Sequence, residues 1–279
     1  GQDLPFINIR NTLEKSGLGV PKLYGAEPHQ GLVFLEDLGD EILQKKIEAE
    51  KPESIESLYH EAIDMVVKMQ CDLDVSQDCF AFKIAFTVEK FVWELDFFRT
   101  HYVESLLGKK IQSDDRKTMD RLFHWLSSLM DEERKVFTHR DYHSRNLIYH
   151  AGTLKTLDFQ DARLGLAQYD LASLLRDSYV VLRDELRESL LDYYLSRREE
   201  KTGEKIDRPR FRYIFDMTSL QRNLKAIGTF AFQAIGRNNS SYLKYIPNTL
   251  TYVKKNLKKY DELGPYGKVL NTYLPFDER

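Results

Sequence analysis

Along most of this chain apolar residues recur at the three-and-four spacing of helices, and in a few places they give way to short runs of the kind that form strands. Residues 5–16 carry Phe6, Ile9 and Leu13 on one side, between Pro5, suited to a first helical turn, and Gly17 just past the end; this predicts a short helix. "PKLYGAE" and "GLVFLED" follow, with the turn-forming "PHQG" between them, and predict a hairpin. Positions 55, 58, 59, 62, 63, 66 and 67 are apolar, which predicts an amphipathic helix beginning near Pro52 and Ser54. A second ladder, from Val88 through Phe91, Leu95, Phe98, Tyr102 and Val103 to Leu107, stops at Gly108, where glycine tolerates left-handed backbone. Ser113 is the expected cap of a third, built on Met119, Leu122, Phe123, Leu126, Leu129 and Met130.

Helical periodicity then lapses. "NLIYH" and "TLKTLDF" flank Ala151 and Gly152 and predict a second small hairpin, with polar residues on the loops at its ends. From Tyr169 to about residue 260 the pattern is helical again, broken around 202–209 and 236–239. The expected fold class is α+β: a small piece of sheet, then a large helical lobe with a hairpin inside it. No internal repeat and no long Gly/Ser/Pro linker is present, so a lobe boundary must fall in a short connection, for which "EDLGDE" is the best candidate.

Composition narrows the function classes. The chain has 279 residues and a formal net charge of -3, enough for one large domain or two lobes sharing a cleft. Lys and Arg are scattered, so no electrostatic footprint for nucleic acid is visible. The two cysteines, Cys71 and Cys79, fit neither a disulfide framework nor a four-ligand zinc site, which makes reduced thiols in the cytosol the expectation. No apolar run approaches the roughly 18 to 20 residues of a membrane span, and a cytoplasmic protein with no membrane partner is expected.

The chemistry is concentrated in "THRDYHSRNLIYHAGTLKTLDFQDA". His139, Arg140 and Asp141 are followed by Asn146, five positions after the Asp, and by Asp158, twelve after the Asn, the spacing of a kinase catalytic loop and its metal-binding Asp. Transfer of a γ-phosphoryl group spreads negative charge over its oxygens, and Mg²⁺, which neutralises it, prefers carboxylate and amide oxygens with waters. Asn146 and Asp158 are the residue types for that task. The acceptor hydroxyl must be aimed in line at phosphorus and lose its proton to a carboxylate, the role expected of Asp141.

"HRDYHSRN", "LDFQDA" and "YDLASLL" resemble the aminoglycoside phosphotransferase and choline kinase branch of the protein-kinase-like fold. "LEDLGDE", the stretch from Thr138 to Tyr179 and "QRNLKAIGTFAF...YLKYIPNTLTYV" are similar to the bacterial anomeric amino-sugar kinases of cell-wall recycling, which phosphorylate N-acetylmuramate and N-acetylglucosamine at the C1 hydroxyl. The resemblance implies a partial, β-containing N-lobe over residues 1–38, with a hinge at its end, and a mostly helical C-lobe over 39–279. It implies ATP and Mg²⁺ as cofactors and an amino sugar as small-molecule partner. Asp141 resembles the catalytic base and Asn146 and Asp158 the metal ligands. Glu36, Asp37 and Leu38 resemble the hinge whose backbone pairs with adenine. Asp170 resembles an acid that braces the catalytic loop, His139 a residue packed beneath it, and His143 one nearer the chemistry. Asp161 either assists the metal or caps a turn.

A kinase-like N-lobe also carries a phosphate-covering loop and a Lys paired with a helical Glu, and this chain starts too late for them; Glu14 is the candidate Glu. The expectation is that residues 1–38 are the tail of a larger N-lobe, the other reading being a pseudokinase or nucleotide-binding scaffold with a weakened clamp. For the acceptor, near-balanced charge argues against polycationic aminoglycosides, though an aminoglycoside or choline-type kinase is the alternative within the fold. Candidate sugar contacts are Trp93, Glu94 and Asp96 on one helix and Gln221, Arg222 and Lys225 on another. At helical spacing such residues are more often part of a helix core or an internal ion pair than ligand contacts, while Arg222 could meet a carboxylate such as a lactyl group.

Overall fold

Pro5 opens α1 (Pro5–Lys15), whose buried Ile9 and Leu13 are two of the three apolar residues that predicted it. A computed structural model describes residues 4–76 and 78–276 of the chain, excepting the side chains of Pro52 and Glu53. The chain divides into two compact units: Gly1–Ala85, Arg134–Leu175 and Leu182–Arg208 form the first, and Phe86–Glu133, Arg176–Val181 and Pro209–Arg279 the second. These are lines of packing.

Among the described residues, every strand lies in the first unit. β1 (Leu23–Glu27) and β2 (Leu32–Leu35) pair antiparallel, joined through Pro28–Gln30 as the "PHQG" signal predicted, with an irregularity between Leu23 and Gly25. After α2 (Leu43–Ala49) comes α3 (Pro52–Cys71), the amphipathic helix expected from residue 55 onward. Its stripe of Leu58, Tyr59, Ala62, Ile63 and Val66 is buried, each large apolar side chain contributing about 1.5–3 kcal/mol. It packs along α8 (Asp184–Thr202), where Tyr193 Oη donates to Asp64 Oδ2 at 3.0 Å and Arg197 Nε to Asp64 Oδ1 at 2.8 Å.

β4 (Leu147–His150) and β5 (Thr153–Thr156) form the expected hairpin in register Leu147↔Thr156 and His150↔Thr153. Its two-residue turn has positive φ at both Ala151 (51°) and Gly152 (88°), the geometry whose twist matches that of the flanking strands. The pattern did not reveal a second pairing, β3 (Lys135–Thr138) with β6 (Arg163–Leu166), which brackets the whole chemical stretch. α4 (Phe80–Lys83) lies against β6, and α7 (Gln168–Leu175) follows it.

Among its described residues the second unit consists of helices joined by loops. α5 (Val88–Phe98) is capped by Thr87, whose hydroxyl accepts from Lys90 N at 3.3 Å. The ladder from 88 to 107 is not one α-helix: Arg99–Leu106 is π-helical, with Leu107 N donating five residues back to Tyr102 O at 3.0 Å. α6 (Ser113–Asp131) starts one residue earlier than expected, because Gln112 is its cap and Ser113 its first helical residue. Asp114 and Asp115 in its first turn favour the positive end of the helix dipole.

α9 (Arg208–Gly236), α10 (Ile246–Lys259) and α11 (Gly264–Tyr273) complete the unit. The breaks expected near 202–209 and 236–239 are present, whereas the loop after Leu175 and the helix after residue 260 are additions. Phe98, Tyr102, Met119, Leu122, Phe123, Leu220, Leu224, Ile227 and Val253 share one core. α9 approaches α5 backbone to backbone at Gly228, where an added Cβ would lie 2.6 Å from Phe98 Cα.

Candidate active site

The loop between β3 and β4 begins at His139, which has no exposed surface. Its Nε2 lies 2.9 Å from Leu157 O and 2.8 Å from Thr156 Oγ1, and its ring meets Tyr142 edge-on. Tyr142 is itself buried and donates from Oη to Ala62 O of α3 at 2.8 Å; burial pushes its phenol well above the usual range. This stretch of loop is thus pinned from below by β5 and α3.

Arg140 is held at φ 82°, a left-handed backbone that costs a non-glycine residue about 1–3 kcal/mol. The fully buried Asp170 of α7 accepts from His139 N at 2.7 Å and from Arg140 N at 3.0 Å. Two hydrogen bonds to a carboxylate, worth about 1.5–3 kcal/mol each, are enough to hold that strain. The Arg140 side chain ion-pairs with Asp161 at 3.3 Å; Asp161 is otherwise exposed, and its backbone oxygen accepts from Arg163 Nε.

Beyond the strained residue, successive turns are closed by His143 N on Asp141 O at 3.1 Å and Asn146 N on His143 O at 2.9 Å. His143 Nδ1 accepts from Arg145 N at 3.3 Å. Asn146 Nδ2 donates to Asp141 O at 2.9 Å and lies 3.4 Å from Asp158 Oδ2, so one amide joins the loop to the residue that follows the hairpin. Asp158 sits at φ 61°, exposed, while Phe159 next to it is buried and stacks on Phe6 of α1 at 5.0 Å. Gln160 Nε2 donates to the other carboxylate oxygen of Asp158 at 2.6 Å.

Asp141, Asn146 and Asp158 are therefore neighbours in the first unit, brought together by the hairpin that separates the last two in sequence. Among the described residues no group of three His, Cys, Asp or Glu forms a metal cage. Mg²⁺ does not need one: it keeps waters and takes one or two protein oxygens plus those of phosphates. The donor set fits that ion, because Asp158 is exposed and is met by neutral amides, and the Asn146 Oδ1 has no donor among the described residues.

Residues 36–38 leave β2 on the same unit. Glu36 N donates to Lys22 O at 2.8 Å, Asp37 Oδ1 accepts from Gly39 N at 2.8 Å to turn the chain, and Leu38 is buried. The Glu36 side chain accepts from Lys155 Nζ of β5 at 2.7 Å and from Lys22 N at 3.1 Å, which together hold its carboxyl below the usual carboxylate range. Lys155 and Gln160 were not among the residues picked out from the pattern. For Gln160 a signal existed, two places after Asp158; for Lys155 none did, since its partner is 119 residues away.

The candidate sugar contacts all fall in the second unit. Trp93 is 54% exposed, so it is not a core residue; Lys90 Nζ lies 3.8 Å over its ring. Glu94 is buried and accepts from Gln221 Nε2 at 3.0 Å, and Asp96 pairs with Arg99 at 2.5 Å, burial pushing its carboxyl up. Arg222 is buried and Lys225 half-buried on α9. Glu14 pairs with Arg10 at 2.5 Å on α1.

Residues 4–212 match the phosphotransferase enzyme family. A protein of Neisseria meningitidis serogroup B named N-acetylmuramate/N-acetylglucosamine kinase is 28% identical over 266 residues, 94% of this chain and 77% of that protein. A protein of the same name from Pseudomonas aeruginosa is 27% identical over 95% of this chain and 77% of its own length. Among solved structures, a gentamicin complex of the aminoglycoside phosphotransferase APH(2")-IIa aligns with TM-score 0.60 at 13% identity, over 93% of this chain and 81% of that one. The choline kinase LicA from Streptococcus pneumoniae aligns with TM-score 0.60 at 14% identity, over 90% and 80%.

Proposed function

Since the chain belongs to the phosphotransferase enzyme family, with the protein-kinase-like fold of its aminoglycoside and choline kinase branch, and is a small-molecule kinase, we propose that it transfers the γ-phosphoryl group of ATP to a sugar hydroxyl, the C1 hydroxyl of N-acetylmuramate or N-acetylglucosamine. The observation that carries the reading is the Asn146 side-chain amide, which contacts the backbone oxygen of Asp141 and the carboxylate of Asp158 and so makes the three residues neighbours.

Asn146 and Asp158 would hold Mg²⁺, which when bound neutralises charge developing on the transferred phosphoryl group. Asp141 orients the acceptor hydroxyl and receives its proton as the sugar oxygen forms its bond to the γ-phosphorus and the bond from that phosphorus to the β-phosphate oxygen breaks, releasing ADP. An anomeric hydroxyl is more acidic than an ordinary alcohol, so a carboxylate of ordinary basicity suffices. Backbone groups of residues 36–38 pair with adenine. Asp170 and His139 support the loop, His143 stands near the chemistry, and Asp161, paired with Arg140, steadies the strained turn.

Support for the amino sugar comes from the two relatives, matched over nearly all of this chain, α9 and α10 included. Trp93, exposed on α5, offers an apolar ring face of the sort sugars stack on, and Glu94, Asp96, Arg222 and Lys225 are the polar candidates of the same unit. No helix of the described residues is long and apolar enough to cross a membrane, in keeping with a cytoplasmic enzyme.

The test is ADP release with N-acetylmuramate, N-acetylglucosamine, kanamycin and choline as acceptors. Phosphate appearing at C1 of either amino sugar is the expected result. Turnover of kanamycin or choline alone moves the acceptor elsewhere in the family, and turnover of none leaves only a nucleotide-binding protein.

A further inference from the structure

The β4–β5 hairpin has two ends with different attachments. At its base stand Asn146 and Asp158, and Leu157 N extends the ladder by donating to Asn146 O at 2.9 Å. Along its far half the contacts run to the segment that leaves β2: His150 Nδ1 lies 3.1 Å from Leu38 O, Tyr149 N donates to Glu41 O at 2.8 Å, and Ile148 bridges to Ile42. Lys155 Nζ meets Glu36 Oε2 at 2.7 Å, with His150 Nε2 3.9 Å from the other carboxylate oxygen. The two side chains of the ion pair are only 14% and 13% exposed, unlike the surface pairs that contribute little. One rigid hairpin thus carries the candidate metal ligands at one end and grips residues 36 and 38 at the other.

We propose that Glu36, Lys155 and His150 form a clasp that sets the spacing between the adenine-pairing hinge and the phosphate end of the nucleotide site. This rests on the nucleotide reading given above. Lys155 is a positioning residue: its ammonium ties Glu36 to β5, so the backbone of residues 36–38 keeps one position relative to Asn146 and Asp158. Without it, the nucleotide must order the hinge as it binds, and that cost appears as lost affinity for adenine nucleotides, not for the acceptor.

The experiment compares wild type, Lys155→Met, Lys155→Arg and the exchange Lys155→Glu/Glu36→Lys. ADP affinity is measured by calorimetry, KM is measured for ATP and for N-acetylglucosamine, and Tm is followed alongside. For Lys155→Met the expected result is an ADP Kd and ATP KM raised about tenfold, a smaller loss in kcat and an acceptor KM within about twofold of wild type. Lys155→Arg recovers most of the nucleotide affinity and the exchange recovers part of it. Unchanged ADP affinity in Lys155→Met overturns the clasp. So does an equal loss for ATP and acceptor that tracks a lowered Tm, because a merely structural pair behaves that way. Wild-type protein that binds no ADP overturns the nucleotide reading together with the clasp, whereas wild-type binding matched by Lys155→Met removes the clasp alone.

Discussion

Asp216 in the second unit and Asp158 in the first are both carboxylates held by several partners, and they are held in opposite ways. Asp216 is 2% exposed and is met by Arg176 at 3.1 Å, Lys259 at 2.5 Å and the Tyr260 hydroxyl at 2.8 Å. Burial, then the bond to Asp216, pushes the Tyr260 phenol up. Asp158 is exposed and is met by the neutral amides of Gln160 and Asn146. A carboxylate already neutralised by protein cations gains little from a further one and serves the fold. One fixed by amides is oriented yet keeps its charge, which is the condition for receiving a metal ion. Left-handed φ at Arg140 and Asp158 flanks the candidate site, although Asn238 of the second unit adopts it too.

The sharpest way to break this contrast lies beside Asp158. Asp141→Asn should lower kcat by about 10²–10⁴-fold, the range of general-base contributions, with ADP affinity in calorimetry retained. Full turnover in that variant removes Asp141 from the mechanism. Asp216→Ala should cost about 3–5 kcal/mol in urea denaturation, because it removes the buried carboxylate that Arg176, Lys259 and Tyr260 all meet. If Asp216→Ala were as stable as wild type, the two carboxylates would not differ in the way described.

Asp158→Asn should leave the urea midpoint near that of wild type while raising the Mg²⁺ concentration for half-maximal rate about 10–100-fold. An unchanged Mg²⁺ titration counts against its role as a ligand. Gly228→Ala probes packing in the second unit alone: with Phe98 Cα 2.6 Å from the new methyl, helix α9 must shift, at a cost of about 1–3 kcal/mol in the same denaturation assay.

The smallest effect concerns pH. The Glu36 carboxyl is held below its ordinary value, first by Lys155 and then by the Lys22 amide. A depressed folded-state value means that its stabilisation is fully present above the unfolded-state value, about 4.3, and is lost as pH falls through the folded-state value. The Tm difference between wild type and Glu36→Gln should therefore be constant near neutrality and shrink toward zero below about pH 4. A difference that grows on acidification contradicts the ion pair.

Legibility in the pattern followed the range of the interactions. The β4–β5 hairpin, α3 and the spacing of Asp141, Asn146 and Asp158 were all readable, because turn chemistry and helical periodicity act over a few residues. The β3–β6 pairing was not: Lys135 meets Leu166 across 31 positions (166 − 135), and neither four-residue run is distinctive alone. The π-helical turns at Arg99–Leu106 were hidden because an apolar ladder satisfies a wider helix nearly as well as an α-helix. For Trp93, open to either core or ligand on its spacing, exposure excludes the core.

By itself, then, the order of residues determined the helical and hairpin segments and the trio of oxygen-bearing side chains, since both are written in local spacing. Tertiary structure alone decided which carboxylate is saturated and which is open, that Asp170 holds the strained Arg140, and that Lys155 reaches Glu36. The physical reason is that a side chain's charge environment is set by partners many tens of residues away, and no local pattern carries that information.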